Sequence, residues 1–247
     1  MYKRLRLPLI LIFWLLVWQG ANLFISNDIL FAGPWDVLSA LGRQIRTADF
    51  WRTLAASFSR IGAGFLAAAA LGIFLGAAAG RFSALEDFLA PVMLLFKSVP
   101  VASFVILALI WIGSDRLSVF ISFVVVLPIL YTSTLIGLKS ADPKLLEMCR
   151  VYRVPVIRQI EAVYLPALLP HLLSSADSAI GLAIKSGVAA EVIGVPDYSV
   201  GGELYMAKIY LSTADLFAWT LVIIAAAWML EHLLRKFLKL INKKGQH

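Results

Sequence analysis

Long apolar runs separated by short polar stretches dominate the chain, at roughly 7–25, 58–80, 88–112, 117–138, 168–190 and 214–234. Each is close to the ~20 residues a helix needs to cross the hydrocarbon of a bilayer. A backbone in lipid must satisfy its own hydrogen bonds, so helices are the expected elements. The polar/apolar alternation of a membrane β-barrel is absent. No linker rich in Pro, Gly or Ser divides the runs. The pattern predicts an all-α polytopic membrane protein of about six transmembrane helices, forming one domain over 1–247. Lys3, Arg4 and Arg6 precede the first run in the manner of a signal peptide. No small-x-small cleavage site follows, so the run is read as an uncleaved first span.

Composition agrees with the pattern. Hydrophobic residues make up 61% of the 247 and charged residues 15%, against about 45–50% and about 25% in soluble domains. The net charge of +7 raises the question of nucleic acid. The cations sit between and beyond the apolar runs, with no basic face and no interleaved aromatics, which excludes that reading. With the N-terminus in the cytoplasm, 14 of the 22 Lys and Arg residues fall in cytoplasmic segments and five in external ones. Arg60, Lys97 and Lys185 lie within or at the edge of spans. The asymmetry predicts an N-in, C-in topology. Cys149 is the single cysteine, so no internal disulfide can form, and His171, His232 and His247 lack zinc-type spacing.

Two spans carry further signals. Gly64, Ala68, Gly72, Gly76 and Gly80 recur every four residues and make one smooth stripe on the second span. Such a stripe is expected to be a packing seam for another helix, with a functional hinge as the alternative. The fifth span is the most polar, carrying Ser174, Ser175, Asp177, Ser178, Lys185 and Ser186. Charges at membrane depth normally face a bundle interior or a wet path, so this helix is expected to line the pathway. Asp177 and Lys185 are about 12 Å apart along a helix axis, too far to pair within it. Each therefore needs a partner elsewhere.

Between the fourth and fifth spans lies a polar, basic stretch, 139–167. Asp142 is placed to cap a helix that has Pro143 in its first turn. Leu145, Leu146, Cys149 and Tyr152 would form a short apolar face, and Pro155 would end the helix. By pattern alone, this helix could rest on lipid headgroups.

The segment resembles the "EAA" loop of bacterial ABC-importer permeases. Glu147-Met148-Cys149 stand at the acidic-small-small positions, and Val163-Tyr164-Leu165-Pro166 match the hydrophobic-x-Leu-Pro ending. Arg153 departs from the pattern by standing where that family has glycine, and Met148 by replacing a small residue. Pro155 is expected to supply the break that glycine would, or the local turn to differ. The resemblance narrows to the nitrate/sulfonate/taurine-type permeases through the blocks FAGPWDVLSAL, TLAASFSRIGAGFLAAAALGIFLGAAAG, PVMLLFKSVPVASFVILALIWIG and KSGVAAEVIG. It implies the type I ABC importer permease fold in a bacterial inner membrane. It also implies a second permease copy, as a homodimer, two cytoplasmic ATPase subunits and an external substrate-binding protein. Glu147, Met148, Cys149, Arg153, Leu165 and Pro166 would be the ATPase-coupling positions. The cargo would be a sulfonate- or nitrate-like anion or a thiamine-precursor-like pyrimidine.

The remaining candidates are weighed on residue chemistry. Lys97 and Ser98 precede Pro100 in the third run, which suggests a broken helix near a cavity, with a snorkelling lysine as the alternative. Lys97, Ser98, Asp177, Lys185 and Glu191 are the pathway candidates. Lys185 would favour anionic cargo, or else pair with a buried carboxylate such as Asp177 of a neighbouring helix. Glu191, Asp197, Glu203 and Asp215 would make an acidic external loop suited to a binding protein. No GxxxxGK[ST] loop is present, so ATP and its Mg would bind a separate chain, and this chain is expected to hold no cofactor and not to be an enzyme. A secondary transporter would need internal repeats, which the two halves lack.

Overall fold

The computed structural model describes residues 2–27 and 29–244. Among them every regular element is helical: α1 (Tyr2–Ile25), α2 (Pro34–Gln44), α3 (Ala48–Arg81), α4 (Ser83–Ser98), α5 (Val101–Ile112), α6 (Ser114–Lys139), α7 (Pro143–Val151), α8 (Val156–Gln159), α9 (Leu165–Gly194), α10 (Val200–Ile209) and α11 (Thr213–Lys244). A π-helical turn, Ile160–Tyr164, joins α8 to α9. Five helical segments are long and apolar enough to cross a membrane, and six if the bent pair α4–α5 counts as one span. Leu, Ile, Phe and Trp side chains crowd the outside, as on Leu16, Phe74, Ile110 and Trp228. A surface of this kind suits lipid and not water.

Helix α6 is the central element. It is apolar on all sides and has 13 of its 26 residues buried, which marks a helix enclosed by others. α3 runs parallel to it along the glycine stripe. A Cβ on Gly64 would stand 2.2 Å from the Val119 carbonyl oxygen, and one on Gly76 2.7 Å from Thr134 Cβ. The stripe is therefore a seam of backbone on backbone. α9 packs antiparallel on another side of α6, where Gly187 admits Ile61 and the Ser122 hydroxyl. Hydroxyl bonds stitch these helices: Ser122 Oγ donates to the Ala183 carbonyl (3.2 Å) and Ser175 Oγ to Ser133 Oγ (2.7 Å). With no hydrophobic force between helices in lipid, such close contacts and polar stitches carry the association.

The run at 88–112 does not form one straight span. α4 and α5 meet at 103° across Val99 and Pro100. Pro100 has no N–H to donate and holds Val99 extended (φ −71°, ψ 127°), so the helix cannot continue through them. The second, fifth and sixth runs extend beyond their apolar limits, to 48–81, 165–194 and 213–244. At about 1.5 Å per residue, α3 spans roughly 50 Å and outruns the ~30 Å of hydrocarbon. Helix α1 is exposed all round from Leu9 to Leu16. It joins the bundle through Trp18 Nε1, which donates to the Ala32 carbonyl, and Asn22 Nδ2, which donates to the Phe31 carbonyl.

The seam gives a direct test. Gly62 has open space where a Cβ would go, one turn-half from the crowded Gly64. Gly62→Ala is expected to hold or raise the melting temperature in detergent, since alanine favours helix by about 1 kcal/mol. Gly64→Ala is expected to lower it by several degrees, because the Val119 backbone cannot yield.

Candidate functional site

The 139–167 segment folds into a compact knot at one end of the bundle. Asp142 caps α7, its carboxylate accepting from the Lys144 N–H at 2.8 Å, and Pro143 occupies the first turn. Cys149 is buried with Ala141 and Val163, against Leu146, Val154, Tyr164 and Ala167. The expected single apolar face is thus divided in two. Leu146 and Cys149 turn inward and anchor the helix. Leu145, Met148, Val151 and Tyr152 turn outward, and Tyr152 is 75% exposed. Val156 and Ile157 continue that exposed surface onto α8, and Glu147 and Arg153 are exposed beside it.

Arg153 takes the backbone conformation that glycine normally supplies, with φ at +50°. The Val154 N–H bonds the Cys149 carbonyl (2.9 Å) and the Arg153 N–H the Arg150 carbonyl (3.2 Å). These two bonds define a Schellman C-cap with a left-handed residue after the helix end. The helix therefore ends in a left-handed turn of the kind glycine favours, at Arg153 and before Pro155 is reached. An arginine there is strained by roughly 1–2 kcal/mol relative to glycine. The burial of Cys149 against Val154 is the contact that holds it.

Leu165 and Pro166 open α9 directly after the π turn. Pro166 cannot donate to the residue four before it, and the wider turn absorbs that gap. The loop is thereby tied without a slack linker to α6 at one side and α9 at the other.

The pathway candidates do not converge. Lys97 is exposed and its Nζ donates to Thr132 Oγ1 at 2.9 Å, with Ser98 exposed next to it. Asp177 pairs with Arg235 Nε of α11 at 2.9 Å, so Lys185 is not its partner. Lys185 lies on an uncovered stripe of α9 with Ser174, Ser178, Leu182 and Ala189, and forms no ion pair among the described residues.

Glu191 belongs to α9 and not to the external loop, and it is 0% exposed. Its Oε2 accepts from Ser57 Oγ (2.7 Å) and from the Gly201 N–H (3.3 Å), and Arg60 stands 3.7 Å from its Oε1. Arg60 Nη2 also donates to the Asp197 carbonyl at 2.8 Å. Glu191 therefore clasps α3, α9 and the start of α10 at the end of the bundle opposite α7. Sequence reasoning missed this role, because Ser57, which makes it possible, lies 134 residues away in the chain. The other expected loop carboxylates do not share one face. Asp215 accepts from Gln44 Nε2 (2.9 Å) and Ser212 Oγ (2.5 Å), whereas Asp197 and Glu203 are exposed.

The sequence matches the family described as binding-protein-dependent transport system inner membrane component, over residues 68–244. The chain belongs to that family, and so is a multi-pass permease subunit of a bacterial inner-membrane ABC transporter. It is 27% identical to the putative aliphatic sulfonates transport permease protein of Bacillus subtilis, over 98% of this chain and 86% of that one. It is 28% identical to the taurine transport system permease protein of Escherichia coli, over 87% of this chain and 80% of that one. It is 27% identical to the nitrate import permease protein of Leptolyngbya laminosa, over 73% of this chain and 66% of that one.

Two outcomes follow from this geometry. Arg153→Gly is expected to raise the melting temperature by relieving the left-handed residue, and Arg153→Val to lower it, since a β-branched side chain is worse there. At the other end, Glu203 is reached by water but packs close enough to its neighbours for partial desolvation, then Asp215 and Asp49, to push its carboxyl above its usual range. A raised folded pKa means the folded state holds the proton more tightly. Its contribution is present at low pH and lost as pH rises through the folded value. Glu203→Gln is expected to flatten the loss of thermal stability as pH rises above the ordinary carboxylate range; an unchanged profile would show that Glu203 does not set it.

Proposed function

We propose that the chain is the channel-forming subunit of an importer that takes up a small anion of the sulfonate or nitrate class. Two copies, as a homodimer, enclose the path. The ends bearing α7 and both termini face the cytoplasm, and an external binding protein delivers the cargo to the α10 end. Two cytoplasmic ATPase chains bind and hydrolyse MgATP. The outward apolar face of α7 carries the reading. Leu145, Met148, Val151 and Tyr152 have no partner among the described residues, and exposed aromatic and Met side chains of this kind are typical of docking surfaces.

In this reading the exposed face seats in a groove of the ATPase. Glu147, Met148 and Arg153 touch the partner, while Cys149, Leu165 and Pro166 hold the helix to the bundle. Movement of the ATPase then passes to α6 and α9 through the Cys149 anchor and the π turn. The anionic cargo is supported by the solutes for which the relatives are named, aliphatic sulfonates, taurine and nitrate. Lys185, on the uncovered stripe of a spanning helix, would meet such an anion, with Ser174 and Ser178 as hydrogen-bond donors on the same stripe. Lys97 and Ser98 at the α4–α5 bend would lie along the same path.

The test uses the chain reconstituted in vesicles with its ATPase and binding protein. Met148→Glu and Glu147→Ala are expected to lower both uptake and permease-stimulated ATP hydrolysis at least tenfold, with the chain still folded. Lys185→Gln is expected to lower anion uptake alone. Undiminished coupling in the first pair would refute the docking assignment, and undiminished uptake in Lys185→Gln would remove that lysine from the path.

A further inference from the structure

A cavity of about 800 Å³ opens between the knot around α7 and the ends of α3, α6 and α9. That volume falls in the range of about 300–1,000 Å³ typical of ligand sites. Its walls combine two chemistries. Leu138, Ile160 and Leu168 give it an apolar interior, and Arg81, Lys139 and Arg150 are the charged groups that line it. No carboxylate belongs to the lining. Lys139 is already paired with Glu86 at 2.6 Å. Arg81 and Arg150 form no ion pair among the described residues, and the guanidinium of Arg81 lies over the Phe82 ring, 5.6 Å from its centroid.

We infer that this cavity is a binding site for one anionic phospholipid. The two arginines would hold the phosphate and the apolar wall one acyl chain. The ends of two spanning helices, at Arg81 and Lys139, place the cations where the hydrocarbon gives way to headgroups. Basic pockets between membrane helices at that depth favour acidic lipids. A soluble anion would leave the apolar wall wet. A zwitterionic lipid would bring its own ammonium next to the two arginines, adding a like charge that an anionic lipid does not. The site meets the surface that continues the outward face of α7 at Val156, and it does not depend on the docking proposed for that face. A lipid seated there would brace α7 from below through Leu146, which the cavity and the Cys149 anchor share.

Native mass spectrometry of the full-length chain in detergent tests this. The chain is titrated with phosphatidylglycerol or with phosphatidylcholine of the same acyl chains. Wild type is expected to retain one phosphatidylglycerol at concentrations about tenfold below those needed for phosphatidylcholine. Arg81→Gln/Arg150→Gln is expected to lose that preference, and Arg43→Gln/Arg46→Gln, at the far end, to keep it. Millimolar inorganic phosphate is expected not to displace the lipid. Arg150→Gln alone, on the exposed loop helix, repeats the comparison should the double variant lose helicity by circular dichroism. Equal retention of the two lipids by wild type would overturn the assignment. So would an unchanged preference in the Arg81/Arg150 variants, or displacement by phosphate.

Discussion

How closely α3 can approach α6 sets the geometry of everything else in this permease. Gly64, Gly72 and Gly76 place the backbone of one helix against the backbone of the other. That contact fixes the inner pair, and α9 closes on α6 with Gly187 turned toward Ile61 of α3 and the Ser122 hydroxyl. In lipid no hydrophobic force would draw these helices together, so shape and a few hydroxyl bonds carry the association. A side chain of even one carbon at Gly64 or Gly76 would push α3 away from α6 and disturb the register that aligns both ends.

The two ends of this core are held by different means. At one, a buried carboxylate, Glu191, gathers Ser57, Arg60 and the Gly201 N–H. Burial of this carboxylate is tolerable because Ser57 and Arg60 of α3 and the Gly201 N–H of α10 all meet it, so the cluster ties α3, α9 and α10 together. At the other end the fastening is apolar and small, with Cys149 against Ala141 and Val163. A rigid clasp at one end and a compact, helix-linked knot at the other suit a protein whose core helices must move as units.

Much of this was legible in the sequence because the bilayer demands it. Length and apolarity mark the spans, and the four-residue glycine period marks the seam. Asp142 and Pro143 announce the start of α7. Arg153 is the instructive departure. An arginine at a glycine position reads as a break supplied by Pro155 or as a different turn, yet φ is +50° because the Schellman bonds and the Val154 contact fix the backbone. What was not legible depends on phase and distance. Heptad-like spacing shows that Leu145, Leu146, Cys149 and Tyr152 are apolar, but not that the loop folds back over Leu146 and Cys149 and leaves the other two outside. Nor does position 191, at the edge of an apolar run, reveal that Ser57, 134 residues away, accepts it as a partner. Spacing shows that Lys185 and Asp177 cannot pair within one helix, but not that α11 brings Arg235 to the aspartate.

The central claim is that α7 is the element through which an ATPase drives these helices. A photo-reactive residue in place of Met148, irradiated in native membranes, addresses it most directly, with the same probe at Leu16 on lipid-facing α1 as control. The account predicts a crosslink from position 148 to an ATP-binding subunit and none from position 16. Labelling of lipid alone at position 148 would contradict it, since α7 would then be an interfacial helix resting on the membrane.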